Sequence, residues 1–238
     1  MPRTASSVPR AAGAATRDFA ARVLDRLEAQ HPNAWTELNF TNAYELLVAT
    51  ILSAQCTDAR VNQVTPALFR RYPGPRELAA ATAAELEPQI QSTGFFRMKS
   101  RSLLGMAGAV MDQHGGEIPD TMEALTKLPG VGRKTANVVL GHAFRIPGLP
   151  VDRHVLRVSN RIGLIATDDA EKAEAKLTAA LPPARWTQAS DTLILHGRRI
   201  CRPKPLCDRC NVRADCRYFR QLGAKASRRV PVRQTGRR

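Results

Sequence analysis

The amino-acid sequence predicts an all-α fold. Apolar residues recur at helical spacing in segments such as 43–54 and 171–181, and Ala and Leu, which favour helices, are abundant. Aromatic residues make up 5% of the chain, and the alternating patterns of strands are almost absent. Because 43% of the 238 residues are hydrophobic, the chain has enough material for a core and needs no disulfide staples.

Pro and Gly divide the chain into about ten predicted helices. The breaks lie at residues 73–75, 115–116, 129–130, 147–150 and 182–183. In the segment that ends near Ala180, Asp168 and Glu171 have the spacing of a capping box, so we expect a helix to start directly after Asp168. The sequence shows no internal repeat.

The formal net charge of +15 predicts a polyanionic partner, either nucleic acid or an anionic membrane surface. Residues 197–238 contain fourteen Lys or Arg and two Asp, so this segment carries +12 of that charge. No apolar run in the chain approaches the roughly twenty residues that a membrane helix requires. We therefore expect a soluble protein that does not act at a membrane.

The two ends of the chain indicate its compartment. Residues 1–17 are rich in Ala, Ser, Arg and Pro and predict a disordered basic tail, with a transit peptide as the alternative. Four of the five cysteines lie between residues 201 and 216, which argues against a secreted disulfide framework. We expect a reducing compartment, namely the cytoplasm and nucleoid of a bacterium, or the nucleus or mitochondrion of a eukaryote.

The segment from Leu128 to Ala136 predicts a helix-hairpin-helix DNA-binding element. Gly130, Val131 and Gly132 form a turn between two helical segments, and such a turn exposes backbone N–H groups that bind phosphate at a helix N-terminus. An ordinary glycine turn is the alternative interpretation. It is disfavoured in a chain of net charge +15 with Leu-Pro ahead of the turn.

Lys134 lies in the first turn of the second hairpin helix, where the positive end of the helix dipole disfavours an ammonium group. Two interpretations of this side chain remain open. It either contacts phosphate, as we expect of its neighbour Arg133, or it is a nucleophile that attacks as a free amine.

Asp152 stands at the start of the next predicted helix, whose apolar face consists of Val151, Val155, Val158 and Ile162. Capping that helix is its simpler role. Because the turn at 147–150 reverses the chain, Asp152 is also expected to return near Lys134, where a carboxylate would transfer protons and stabilise a cationic sugar. Its neighbours Arg153 and His154 are expected to contact DNA.

A metal site near the C-terminus is predicted by four cysteines within sixteen residues, Cys201, Cys207, Cys210 and Cys216. Zinc sites of four thiolates usually combine two separate Cys-x-x-Cys pairs, whereas this run has one central pair, which favours a four-iron, four-sulfur cluster. Zinc remains the alternative. Basic residues lie between the cysteines, so the metal is expected to shape a DNA-binding loop.

Together these motifs resemble the endonuclease III family of bifunctional DNA glycosylase/AP lyases, over about residues 20–220. The resemblance also includes Thr-Glu-Leu-Asn-Phe at 36–40, Leu-Ser-Ala-Gln-Cys-Thr-Asp at 52–58 and Leu-His-Gly-Arg at 195–198. It implies two helical domains with a DNA-binding cleft between them. The expected ranges are 36–146 for a six-helix barrel, 18–35 with 147–220 for an iron–sulfur cluster domain, and 221–238 for a basic C-terminal tail.

The resemblance implies that Lys134 attacks C1′ of a flipped-out nucleotide, displaces the damaged base and forms a Schiff base that undergoes β-elimination, assisted by Asp152. Gln55 matches the family residue that fills the gap in the DNA, and Phe95 matches the wedge residue. Core packing is the alternative for Phe95 and for Phe96. The expected substrates are oxidised or saturated pyrimidines and abasic sites in double-stranded DNA. The expected cofactor is a [4Fe-4S] cluster in a monomeric protein.

Two positions depart from the pattern of the family. The first two cysteines are separated by five residues where the family usually has six, which shortens the basic loop but keeps four ligands. Arg153 replaces the usual Thr between Asp152 and His154. We expect this arginine to affect the range of substrates and the contacts to the damaged strand.

Three other functions fit the sequence less well. A monofunctional mismatch glycosylase would share the cluster, the hairpin and Asp152 but lack Lys134, and an 8-oxoguanine glycosylase would keep the lysine but lack the four cysteines. The third is a non-catalytic hairpin DNA-binding protein, in which Lys134 contacts phosphate and Asp152 caps a helix. Cleavage of abasic DNA separates that protein from the enzyme.

Overall fold

A computed structural model of the protein describes residues 12–227, with side-chain surroundings up to residue 222. All regular structure within these residues is helical, which confirms the predicted all-α class. The α-helices are α1 (Ala14–Gln30), α2 (Ala43–Leu52), α3 (Asp58–Arg71), α4 (Pro75–Ala79), α5 (Ala83–Ile90), α6 (Phe96–His114), α7 (Met122–Lys127), α8 (Arg133–Val139), α9 (Arg153–Ile162), α10 (Ala170–Ala180), α11 (Trp186–Arg199) and α12 (Arg217–Ser227). A short π-helix, Leu140–Phe144, follows α8 without a break.

The described chain divides into two compact units. The central unit comprises residues 35–150 and 183–187. The terminal unit comprises the described residues of 1–34, 151–182 and 188–238. The hairpin segment lies in the central unit, and the four clustered cysteines lie in the terminal unit.

Helix α2 lies within the core of the central unit. Every residue from Leu46 to Leu52 is buried, because this segment is apolar around nearly its whole circumference. Helix α6 packs on α2, α4 and α5 and buries residues at helical spacing, among them Leu103, Met106 and Val110.

The turn of the hairpin packs directly on α6. A Cβ added at Gly105 would lie 3.2 Å from Cβ of Pro129, so this glycine lets the two backbones approach closely. Helix α6 therefore contacts the hairpin turn at Gly105, and its N-terminal end follows directly on the loop before Phe96.

The predicted start of α10 was wrong by one residue. Asp169, and not Asp168, is the N-cap residue, and its Oδ1 accepts a hydrogen bond of 2.9 Å from the Lys172 backbone N–H. Glu171 is then the second helical residue and not the third, so it does not complete a capping box. The helix ends at Ala180, as predicted.

Helix α1 begins at Ala14, so residues 14–17 are helical, although the sequence analysis assigned them to the N-terminal tail. The helix forms there because it buries one face, made up of Ala20, Val23, Leu24 and Leu27. Residues 1–11 and 228–238, which include most of both predicted tails, lie outside the described residues. None of the helices in the described part of the chain is both long and apolar enough to cross a membrane.

Candidate functional site

The hairpin has the helix–turn–helix form that the sequence predicts. Buried Leu128 and Val131 fix the turn, and the Val131 backbone N–H donates to the Leu128 carbonyl at 3.1 Å. Gly130 has a φ of +77°, and a Cβ there would lie 2.6 Å from Cβ of Ser102, so only glycine fits this position. A close-packed apolar base thus holds the backbone of the turn at the surface.

Lys134 is the second residue of α8 and is exposed. Gly132 precedes the helix as its N-cap and supplies no capping side chain, so the first-turn N–H groups stay available to an anion. Within residues 12–222, no hydrogen bond or ion pair engages the Lys134 ammonium group. Its exposed neighbour Arg133 adds a second positive charge to the same helix end.

Gln55 and Phe95 are exposed residues of the same unit with left-handed backbone conformations. Their φ angles are 53° and 48°, which cost free energy for residues that have a Cβ. Phe95 is 58% exposed, whereas Phe96 packs against the core with the Arg97 guanidinium 5.0 Å from its ring centre. The core-packing alternative therefore applies to Phe96 and not to Phe95. Strained, exposed residues of this kind cluster at functional sites.

Asp152 is the N-cap of α9, in the terminal unit. Its Oδ1 accepts hydrogen bonds from the backbone N–H groups of His154 at 2.7 Å and Val155 at 2.9 Å. The predicted apolar face of this helix is present, with Val151, Val155, Val158 and Ile162 all buried. No donor among the described residues reaches the second carboxylate oxygen, Oδ2. One residue can therefore cap the helix and offer an oxygen to a substrate.

His154 is half-buried beside Asp152. Its Nδ1 accepts a hydrogen bond of 3.0 Å from Arg157, which also donates to the carbonyls of Gly197 at 2.9 Å and Cys201 at 3.1 Å. Burial is the main cause that lowers the pKa of His154, and the charge of Arg157 adds to it, while Asp152 opposes it. The neutral imidazole is therefore the favoured form.

Three further residues of this region bear on the predicted contact with DNA. Arg153 is exposed at the first position of α9, which agrees with the expectation that it contacts DNA. The sequence analysis missed Arg157, although its spacing of three residues from His154 places both on one helix face. Gly197 of the Leu-His-Gly-Arg motif packs so closely that an added Cβ would lie 2.9 Å from Cβ of His154.

All four clustered cysteines line one small pocket of the terminal unit. The pKa of the Cys210 thiol is raised to about 11, mainly by burial and in smaller part by the three other cysteines. Burial also raises the pKa of Cys207. Thiols in such a setting stay protonated unless a metal group replaces their protons. Among the described residues, no group of three or more His, Cys, Asp or Glu is arranged to hold a single metal ion.

Arg161 and His196 lie next to sulfurs of this pocket. Arg161 Nη1 donates to the Cys201 sulfur at 3.5 Å, and the Cys216 thiol donates to the Arg161 carbonyl at 3.3 Å. The Nε2 atom of His196 lies 3.6 Å from the Cys210 sulfur, and its Nδ1 lies 3.0 Å from His31 Nε2. Four sulfurs with nitrogen groups beside two of them suit a sulfur-ligated cluster, whose potential depends on such hydrogen bonds.

Helix α1 holds the cysteine loop from the other end of the chain. The Arg26 guanidinium pairs with Asp215 at 2.6 Å. The side chain of Gln30 donates to the Arg209 carbonyl at 2.5 Å and accepts from the Asn211 N–H at 3.2 Å. The sequence analysis did not identify these residues, because pairs separated by about 180 positions leave no local signal.

Comparison with known proteins identifies the family. The model of the HhH-GPD superfamily of base excision DNA repair proteins matches residues 48–183. Endonuclease III of Synechocystis sp. is 46% identical over 205 residues, which is 85% of this chain and 94% of that protein. The chain belongs to the endonuclease III family.

Solved structures of endonuclease III agree with this assignment. A non-covalent endonuclease III–DNA complex and a trapped endonuclease III–DNA covalent intermediate, the estranged-adenine complex, are each 39% identical to the chain with a TM-score of 0.83. Each comparison covers 87% of this chain and 98% of the endonuclease III chain. The hairpin and Asp152 lie within the segment that matches the superfamily, and the four cysteines follow it.

Proposed function

We propose that this member of the endonuclease III family, a base excision repair DNA glycosylase, removes oxidised pyrimidines from duplex DNA and then cleaves the strand at the abasic site. The observation that carries the proposal is the exposed Lys134, whose amine has no partner among the described residues and stands in the first turn of the hairpin helix. A helix start repels an ammonium group, so an unpaired lysine there is suited to act as a free amine.

In the proposed reaction the Lys134 amine forms a bond to C1′ of the damaged nucleotide. The glycosidic bond breaks, and its electron pair leaves with the base, which takes up a proton. The bound amine loses one proton, the C1′–O4′ bond of the sugar ring then breaks as O4′ takes up a proton, and the opened sugar is held by the lysine as a protonated Schiff base. Loss of a C2′ proton then breaks the bond from C3′ to the phosphate oxygen. A covalent intermediate with DNA has been trapped for the structural relative that is 39% identical.

Asp152 is proposed to handle protons and to stabilise the cationic sugar. Its capping bonds hold Oδ1 and fix the orientation of the carboxylate, while Oδ2 keeps its full capacity to accept. Fixed orientation lowers the cost of reorganisation during the reaction. Capping and catalysis are thus complementary roles of this residue.

The remaining predicted residues are proposed to bind and open the duplex. The backbone of Gly130, Val131 and Gly132, with Arg133, would bind phosphate at the start of α8. A base within a duplex cannot be reached by an amine, so the nucleotide must leave the stack. Gln55 and Phe95 would fill the gap that it leaves. Arg153 and His154 would contact the damaged strand.

We further propose that the four cysteines hold a [4Fe-4S] cluster. Support comes from the shared pocket and from the donors around it, Arg161 and His196. The cluster would act as a structural cross-link that shapes the basic loop between residues 201 and 216. The enzyme would work on chromosomal DNA, which in a bacterium lies in the nucleoid.

A panel of duplexes with one lesion each tests the proposed function. We expect the purified protein to excise oxidised pyrimidines, to cleave abasic DNA, and to leave mismatched but undamaged bases intact. Excision of a mismatched base without strand cleavage would indicate the monofunctional glycosylase. Binding to all duplexes without any cleavage would indicate the non-catalytic hairpin protein.

A further inference from the structure

Lys99 is a buried lysine of α6 that the proposed mechanism does not use. Only 5% of its surface is exposed. Its ammonium group donates to the backbone carbonyl of Leu52 at 2.7 Å and to that of Thr93 at 2.8 Å. No carboxylate of residues 12–222 pairs with it. A buried charge is costly, so its retention calls for a physical reason.

The two carbonyls explain how the charge is tolerated. Leu52 is the last residue of α2, and Thr93 is the last residue of the 3-10 turn Gln91–Thr93. Carbonyls at the end of a helix lack intrahelical partners and carry partial negative charge. The ammonium group of Lys99 therefore caps two helical ends at once. Burial lowers the pKa of Lys99, and the nearby Cys56 opposes that shift.

Each capped end is followed, within three positions, by an exposed residue in a left-handed conformation. Gln55 follows Leu52 by three positions, and Phe95 follows Thr93 by two. The backbone N–H of Lys99 also donates to the Phe95 carbonyl at 3.1 Å. One residue thus fixes the backbone on both sides of Phe95 and ties that loop to the loop of Gln55.

We infer that Lys99 is a positioning residue that presets Gln55 and Phe95 together, as a rigid pair of probes, for insertion into the DNA duplex. The inference rests on the proposed function of these two residues. Left-handed conformations at residues with a Cβ persist only where the surroundings enforce them. The paired bonds of Lys99 supply that enforcement for both loops.

The variant Lys99→Met distinguishes this positioning role from a purely structural one. A purely structural role predicts an equal loss of activity on duplex and single-stranded DNA. This variant keeps the length of the side chain but removes its donors and its charge. If Lys99 presets the probes, cleavage of a duplex with one oxidised pyrimidine should fall by roughly tenfold to a hundredfold. Cleavage of a single-stranded abasic oligonucleotide should change by less than about threefold, because no duplex has to be opened.

A double-mutant cycle shows whether Lys99 acts through the two probes. In a chain that already carries Gln55→Ala and Phe95→Ala, adding Lys99→Met should have no further effect on duplex cleavage. Lys172→Met, an exposed lysine on α10 of the terminal unit, is the matched control for the loss of one charge. It should leave both activities unchanged.

Circular dichroism and the melting temperature show whether each variant folds. If Lys99→Met does not fold, Lys99→Gln, which keeps a neutral donor, is the second variant. Partial recovery of duplex cleavage in Lys99→Gln supports the inference. An equal loss on duplex and single-stranded DNA overturns it, and so does full duplex activity in folded Lys99→Met. If the wild-type protein cleaves no abasic DNA at all, the proposed function fails first.

Discussion

The two units of the molecule build their parts of the candidate site by different means. In the central unit, an apolar core holds backbone turns in place, and the candidate residues Gln55, Phe95 and Lys134 project from it without side-chain partners among the described residues. In the terminal unit, charged and polar side chains hold the candidate residues. Arg157 engages His154, and Arg161 engages two of the cysteines.

This contrast indicates what each unit depends on. The central unit should depend on tight packing at glycines and on helix ends, because Gln55, Phe95 and Lys134 have no side-chain partners of their own among the described residues. The terminal unit should depend on the cluster proposed for its cysteines, since buried thiols and the donors beside them are poorly satisfied without such a group. Changes that disturb one kind of support should leave the other unit largely intact.

The largest effect is expected when a cysteine is replaced. Cys210→Ser should abolish the broad visible absorption of the purified protein and the four irons per chain that a cubane implies. Hydrogen exchange should then show lost protection in α9 and α11, while α2 and α6 keep theirs. Equal loss in both units would contradict the proposed division. Stoichiometric zinc in anaerobically purified wild-type protein would contradict the cluster itself.

A smaller effect is expected from the packing of the hairpin turn. Gly130→Ala should destabilise the protein by about 2 kcal/mol, because the methyl group meets Ser102 at 2.6 Å and the φ of +77° disfavours alanine. Gly132→Ala is the matched control, since its φ is −91° and nothing lies within 4 Å of an added Cβ. Urea unfolding measures both variants. A similar loss in the two would show that packing does not fix the turn.

The smallest effect concerns the titration of His154. Its pKa is lowered, so the native state resists a proton that the unfolded chain accepts. The stability contributed by this group is present above the ordinary histidine pKa and is lost as the pH falls toward the lowered value. Asp152→Asn should lower the pKa of His154 further, and Arg153→Thr should raise it. Nuclear magnetic resonance titration of the imidazole measures both shifts. A raised pKa of His154 in Asp152→Asn, or a lowered one in Arg153→Thr, would contradict the arrangement.

Local patterns predicted most of the fold. The apolar spacing placed α2 and α10, and clusters of Pro and Gly marked the ends of helices in both units. The start of α10 was missed because Asp168 and Asp169 are both good caps, and only the backbone geometry selects Asp169. Likewise, the tail boundary depended on whether one face of α1 is buried, which involves distant residues.

The candidate site was predictable where its residues form motifs close in sequence. The hairpin glycines, Asp152 and the run of cysteines are of this kind. Lys99 and Arg161 were missed, because they bind backbone carbonyls and a sulfur, and partners such as Leu52 and Cys201 lie 40 or more positions away. Backbone acceptors have no residue identity, so no sequence pattern marks them.

The central claim is that Lys134 is the covalent nucleophile and Asp152 its partner, and borohydride trapping on abasic duplex DNA tests it most directly. Wild-type protein should give a stable enzyme–DNA adduct. Lys134→Ala should give none while it keeps much of its DNA affinity, because one positive charge among many is lost. Asp152→Asn should cost below about 1 kcal/mol in stability, since Asn also caps helices. It should slow base excision by roughly a hundredfold or more. An adduct that persists in Lys134→Ala would assign the nucleophile to another amine and contradict the account.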